Sequence, residues 1–266
     1  MPQDSEERKL PDFDVKVPSS ARVWNYWVGG KDNFAADREA GEQILEAMPT
    51  LREIAAVSRR FLIDVVHDLA AERGIRQFLD IGTGLPTADN THDVAQRAAP
   101  DARIVYADYD PVVLTHAKAL LTSTPEGKTD YIQADVRDPE VILSAARRTL
   151  DFSKPVAVIL IFVMHFVLDA ERPYDVVRRL MEPLAPGSYL VMAHAASDIA
   201  ADFMAAGADA YNGRVSAQIT PRDRAGFSRF FDGLEMTGPG VVPLAQWWGA
   251  ASDGGLQAYG GVGRKP

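Results

Sequence analysis

The chain has 266 residues, 47% of them hydrophobic and 24% charged, with a formal net charge of −9 and no cysteine. That balance belongs to an ordered globular protein of one large domain or two small ones, long enough to bury its own core. Without cysteine there are no disulfides, thiolate zinc sites, iron–sulfur clusters or cysteine nucleophiles, and the acidic balance argues against nucleic acid as a partner.

The first 17 residues are polar, carry Asp4, Glu6 and Glu7 and have no apolar segment. They read as a mobile tail without a signal-peptide pattern. Residues 18–37 hold Trp24, Tyr26, Trp27 and Phe34 around Gly29-Gly30-Lys31-Asp32-Asn33, too aromatic for a linker and too glycine-rich for a stable helix. From Thr50, which has capping-box spacing to Glu53, apolar residues recur at helical intervals until Gly74.

Strand and helix signals then alternate. Gln77–Ile81 is a strand, and Thr91–Ala99 a helix stopped by Pro100. Ile104–Ala107 is a strand, and the next helix opens with Asp110 as N-cap and Pro111 in its first position. Tyr131–Ala134 is followed by a helix from Asp138-Pro139 to about Leu150. The apolar run Val156–Met164 reads as a central strand covered on both faces. It is also the longest such run, far short of the roughly 20 residues a membrane span requires, so the expected location is the cytoplasm with no membrane partner. A helix from about Asp169 to Leu184 leads to the strand Tyr189–Ala193. Helices after Ser197 and from Thr220-Pro221 to Phe231 precede two strand-like pieces, Leu234–Thr237 and Leu256–Val262. Five β-then-α units in a row predict a mostly parallel sheet wound by helices on both faces. The expected organisation is a tail (1–17), an N-terminal lid with helices packed on the core (18–73), and a core (74–266) with a helical insert at about 197–231.

In such a sheet ligands bind outside the carboxyl ends of the strands. After the first strand comes Asp80-Ile81-Gly82-Thr83-Gly84-Leu85-Pro86-Thr87, where two glycines let backbone approach a ligand closely. Thr87 stands where the dinucleotide fingerprint has its third glycine, which disfavours a nicotinamide cofactor. After the second strand comes Asp108-Tyr109-Asp110, with Asp108 placed to accept both hydroxyls of a ribose, and after the third Asp135-Val136, placed to read an exocyclic amine.

These residues carry a resemblance. Asp80-x-Gly82-x-Gly84, Asp108 and Asp135-Val136 resemble the S-adenosylmethionine site of class I methyltransferases. Ala21-Arg22-Val23-Trp24-Asn25-Tyr26, Gly29 to Asp37, Phe78 to Thr87, Tyr106 to Leu114 and Gly238-Pro239-Gly240-Val241-Val242 are similar, more narrowly, to the S-adenosyl methyltransferase family of bacteria long catalogued as a domain of unknown function. The resemblance implies a Rossmann-like α/β fold, a seven-stranded sheet whose last strand is antiparallel, and S-adenosylmethionine as cofactor. It implies that Gly82 and Gly84 pass beneath the methionine moiety and that Asp80 holds its amino group. Asp108 would take the ribose, with Tyr109 beside it, while Asp135 and Val136 would read adenine. The lid is expected to contribute Arg22, Tyr26 and Asn33, with its aromatic rings facing the sulfonium; alternatively those rings cap the core.

Methyl transfer demands alignment above all, and positioning alone supplies roughly 7–11 kcal/mol of barrier reduction. Where a base helps, His165 after the central strand and His194 at the end of the fifth are the candidates, with a buried structural histidine as the other reading of His165. No histidine pair has convincing metal-ligand spacing, so no metal is expected. The Asn/Asp-Pro-Pro-Tyr/Phe pattern of many DNA and glutamine methyltransferases is absent after the fourth strand, which together with the charge points away from nucleic-acid substrates. The 197–231 insert and the lid are expected to form the acceptor pocket, which favours a small-molecule methyl acceptor. A non-catalytic S-adenosylmethionine-binding protein is the alternative, followed by a nicotinamide oxidoreductase.

Overall fold

The computed structural model describes residues 14–120, 122–215, 217–249 and 255–266, so most of the expected tail lies outside the described residues. Three helices come first: α1 (Ser20–Trp27), α2 (Ala35–Ala47) and α3 (Leu51–Ala71). Then follow β1 (Gln77–Ile81), α4 (Thr91–Ala98), β2 (Arg103–Asp108), α5 (Pro111–Leu120), β3 (Lys128–Gln133), α6 (Pro139–Ala146), β4 (Ala157–Ile161), α7 (Pro173–Met181) and β5 (Tyr189–Ala195). The chain ends with α8 (Ala201–Asn212), α9 (Arg224–Ser228), β6 (Glu235–Pro243) and β7 (Ala258–Arg264). The strands form one sheet in the order β3-β2-β1-β4-β5-β7-β6. Strands β1 to β5 pair in parallel, and β7 runs antiparallel to both of its neighbours. Chain order reverses between β1 and β4, and there the crevice opens.

Successive side chains of a strand point to opposite faces, and this alternation splits the core in two. Leu79, Val105, Val158 and Leu190 pack on one face with Ile142 of α6, Val177 of α7 and Phe227 of α9. Phe78, Ile104, Ile159 and Val191 pack on the other with Phe61 and Val66 of α3 and Val94 of α4. A smaller apolar cluster joins Val23 and Trp27 of α1 to Ile44 of α2 and Tyr211 of α8.

Several boundaries differ from the sequence reading. The fourth strand stops at Ile161 because Phe162 takes a left-handed φ of 54° and the chain enters a 3-10 turn at Met164–Phe166. Arg172, at φ 59°, divides the expected 169–184 helix into a 3-10 turn and α7. The expected capping box at Thr50 does not form; its hydroxyl donates instead to Gln257 Oε1 at 2.8 Å. Residues 18–37, expected to resist helix formation, contain α1 and the start of α2. The glycines fall in the turn between them, where Gly29 has a φ of 82°.

Asp37 holds these two helices together. Its carboxylate accepts from the backbone N–H of Ser19 at 3.0 Å and of Phe34 at 2.8 Å, which lie at the starts of α1 and α2. It also pairs with Arg22 Nε at 2.8 Å, both side chains being buried. A buried charge stripped of its partner is costly. Arg22→Leu is therefore expected to destabilise the fold by about 3–5 kcal/mol in urea denaturation. Removing the exposed Arg52–Glu42 pair is expected to cost no more than about 1 kcal/mol.

Candidate functional site

The carboxyl ends of β1, β2 and β3 supply one half of a cavity of about 410 Å³. Asp80, on β1, is buried and accepts a hydrogen bond from Thr91 Oγ1 at the start of α4. Gly82 and Gly84 follow with φ near 70° (69° and 67°), which only glycine adopts cheaply. A Cβ on Gly82 would lie 2.1 Å from Val163 Cγ2, whereas Gly84 faces open space. Asp108, at the end of β2, accepts from the Gly84 N–H at 3.0 Å and the Asp110 N–H at 2.9 Å, one on each carboxylate oxygen. Each oxygen keeps further acceptor capacity. Burial is the main cause that pushes both Asp80 and Asp108 up to about 6, against the lowering effect of their hydrogen bonds.

Tyr109 lines the cavity beside Asp108, and burial raises its hydroxyl to about 12. Asp110 caps α5 through the Val112 N–H at 2.9 Å. Asp135, after β3, is clamped by Arg137, whose Nη1 lies 3.1 Å from both carboxylate oxygens and whose Nε reaches Glu171 at 2.9 Å. Val136 is buried beside it.

The other half is built by β4, α1, α2, α3 and α8. From α1 come Ser20, Ala21, Trp24 and Trp27, which share one helical face. His165 lines the wall, and its Nδ1 is buried with no hydrogen-bond partner among the described residues. Burial, and then the nearby His194 and Arg222, hold its pKa well below the usual histidine range, so the ring is neutral at neutral pH.

The other candidates stand elsewhere. Arg22 is committed to Asp37, and the Tyr26 hydroxyl turns outward to Glu42 and Arg52. The Asn33 amide donates to Asn25 Oδ1 and Gly30 O, both at 2.9 Å, and so ties down the glycine turn. None of the three lines the cavity: Arg22 and Tyr26 fall off the helical face that α1 presents to it, and Asn33 lies in the turn before α2. His194 also lies off the wall: Nδ1 donates to Ala195 O at 2.8 Å and Nε2 accepts from Arg222 Nη1 at 3.0 Å. With both nitrogens engaged and its pKa driven by burial to about 3, His194 has no free lone pair for a proton.

Arg59 of α3 is a wall residue that sequence reasoning missed. It reaches the loop beyond Gly84, donating to Ala88 O at 2.6 Å, and its Nε is buried without a partner. Its position beside Ser58, on the same edge of α3 as Ile54 and Leu62, was the available signal. Among the described residues no group of His, Asp or Glu has the makings of a metal site, and no helix is long and apolar enough to cross a membrane.

A sheet of this order, with carboxylates at three consecutive strand ends beside a glycine loop, defines a Rossmann-like methyltransferase of class I. The chain belongs to the S-adenosyl methyltransferase family, whose model matches residues 6–266. It is 43% identical to a DUF574 family protein from Streptomyces avermitilis, covering 95% of this chain and 99% of that one at a TM-score of 0.90. A second crystal structure, of a candidate methyltransferase from Thermobifida fusca, is 40% identical, with coverage of 95% and 96% and a TM-score of 0.87. Human N-acetylserotonin methyltransferase in complex with S-adenosylmethionine shares the fold alone, at 15% identity and TM-score 0.50 over 92% of this chain and 63% of that one. A search of curated proteins gives no match. The protein is an S-adenosylmethionine-dependent methyltransferase, and S-adenosylmethionine is its cofactor.

The cavity suits that molecule. Three acidic side chains on its wall have the chemistry to meet hydroxyls and positive charges, Gly84 leaves space beside them, and Arg59 Nε has no partner among the described residues. A pH dependence follows, because a cationic ligand binds the ionised forms of Asp80 and Asp108. Affinity is expected to be level above about pH 7 and to fall about tenfold per pH unit, for each carboxylate, below about pH 6. Calorimetric titrations at several pH values read this directly, and Asp108→Asn should flatten the slope. The ligand-free fold should respond with the opposite sign. A carboxyl raised above its unfolded value favours the native state at low pH, and that contribution is lost as pH rises through about 6.

Proposed function

We propose that the protein transfers the methyl group to a small-molecule acceptor, chiefly by positioning. The observation that carries this is that one cavity, partly open to solvent, runs from Gly84 and Asp108 to His165, with a volume in the range of small-ligand sites. When bound, the cofactor supplies a methyl group activated on a sulfonium.

The chain's own residues do the rest. Asp108 would hold the ribose hydroxyls, its orientation fixed by two backbone N–H groups. Asp80 would hold the amino group, and Arg59 the carboxylate at the other end of the methionine moiety. Val136 would flank adenine, with Asp135 kept in place by Arg137. The Trp24 and Trp27 rings and α3 exclude water from the opposite half.

His165, neutral and with Nδ1 free, accepts a hydrogen bond from the acceptor's nucleophilic group and sets its direction. It is a poor store for a proton, because its cation would be buried near Arg222. The proton released on methylation therefore passes on to solvent, and alignment contributes more than basicity.

Calorimetric titration with S-adenosylmethionine and with adenosine tests the assignments. Asp108→Asn should weaken both ligands, and Arg59→Met only the one with a carboxylate. A charge-assisted hydrogen bond is worth about 1.5–3 kcal/mol, so each loss should be about ten- to hundredfold. Equal affinity of Arg59→Met and the native protein for S-adenosylmethionine would remove Arg59 from the site.

A further inference from the structure

Six aromatic side chains on the cavity wall form a closed circuit of contacts. Trp24 meets Trp27 at 5.9 Å between ring centroids, Trp27 meets Tyr211 at 6.4 Å, and Tyr211 meets Phe166 at 6.2 Å. Phe166 meets His165 at 4.2 Å, His165 meets Phe162 at 5.8 Å, and Phe162 returns to Trp24 at 5.1 Å. All six line the cavity, although they come from α1, the tip of β4, the turn after it and α8. Phe162 reaches its place through a left-handed backbone, anchored by its N–H on Ala193 O at 2.9 Å. Strained backbone of this kind persists where the surroundings fix it, and it clusters at functional sites.

Aromatic walls favour two sorts of guest, a flat aromatic ring through edge and face contacts or a cation through the ring quadrupoles. The charges decide between them. The acidic residues on the cavity wall are Asp80, Asp108 and Asp135, all at the ends of β1, β2 and β3. None belongs to the elements that carry the six rings.

Two guanidinium groups stand at the His165 end. Arg137 donates to Phe166 O and is offset by Asp135 and Glu171, whereas the buried Arg222 donates to Met164 O at 3.0 Å, to His194 and to Val167 O at 2.8 Å. Its carboxylate partner, Asp169 at 2.8 Å, is largely in solvent. The field at this end is therefore positive. It repels a cationic guest and favours a nucleophile that gains negative charge as its proton departs. Among the described residues, the one polar atom on the ring circuit that is buried without a partner is His165 Nδ1.

We propose that the methyl acceptor is an uncharged, planar aromatic molecule bearing a hydroxyl group, seated against these six rings with its hydroxyl on His165, and that methylation falls on oxygen. This rests on the methyltransferase reading above. A lone pair of the phenolic oxygen forms the new O–C bond, the pair of the broken C–S bond stays on sulfur as a neutral thioether, and the phenolic proton, hydrogen-bonded to His165 in the bound acceptor, is lost to solvent.

The test is binding to the full chain, with and without saturating S-adenosylhomocysteine, followed by calorimetry and tryptophan fluorescence. The probes are para-cresol and β-naphthol as phenols and benzyltrimethylammonium as a cation of similar size. Both phenols should bind and perturb the emission, and the cation should bind at least about tenfold more weakly, for want of a carboxylate. Phe166→Leu should weaken the phenols about fivefold or more and leave S-adenosylhomocysteine unaffected. Incubation with S-adenosylmethionine should yield the methyl ether by mass spectrometry.

The proposal is overturned if neither phenol binds, if the cation binds as tightly as they do, or if Phe166→Leu leaves the phenols unchanged. Should that variant fail to fold, the comparison of phenol with cation on the native chain decides alone. Failure of the cofactor reading shows separately, as absent binding of S-adenosylhomocysteine while the ligand-free chain still reports on the phenols.

Discussion

Everything at the carboxyl end of the sheet depends on how closely the tips of β1 and β4 approach each other. A single methyl on Gly82 would sit 2.1 Å from Val163 Cγ2, so the contact exists only because that position has no side chain. Both strands then leave the sheet through left-handed residues, Gly82 on one side and Phe162 on the other. The first departure carries Gly84 to the carboxylate of Asp108. The second carries His165 and Phe166 into the wall of the same cavity. The polar and aromatic halves are two branches of one close contact.

The branches divide the electrostatic work. Burial raises the pKa of two carboxylates on the β1 and β2 side, and a cationic ligand beside them would offset that cost. On the β4 side a buried guanidinium is spread over backbone carbonyls and a neutral histidine. His194 is thus a structural part of the arrangement, and with Arg222 it adds to the burial that keeps His165 neutral. A positively charged donor and a neutral, hydroxyl-bearing acceptor would each find the half of the cavity whose charge suits it.

The sheet and the polar half were legible in the sequence because both follow local rules. A strand end followed by Asp or by Gly-x-Gly is a statement about a few adjacent residues, and Asp80, Gly82, Gly84, Asp108, Asp135, Val136 and Tyr109 all stand on the cavity wall. The N-terminal segment was less legible. Judging 18–37 by its glycine content concealed that the glycines are confined to one turn. Choosing Arg22, Tyr26 and Asn33 by polarity passed over the helical face that carries Ser20, Trp24 and Trp27. The apolar run after Lys154 does not mark where Phe162 leaves the sheet, because Phe162 to Met164 stay buried after the strand has ended. Arg59 sits next to Arg60 on a helix, and type alone does not separate the inward guanidinium from the outward one. The aromatic circuit joins residues from 24 to 211, a contact that no local pattern encodes.

The cover over the cavity is fastened to the element that ends at Asp108. That carboxylate accepts from the Asp110 N–H, Asp110 accepts from the Ser19 hydroxyl at 3.1 Å, and the Ser19 N–H is held by Asp37. Buried hydrogen bonds are costly to break, so this chain of contacts fixes α1 with respect to the tip of β2. Trp24 and Trp27 stand on that helix. The residues that orient Asp108 therefore also set two of the six rings, and a ligand that displaced the tip of β2 would shift the roof of the other half. Helix α1 is for that reason part of both halves of the site.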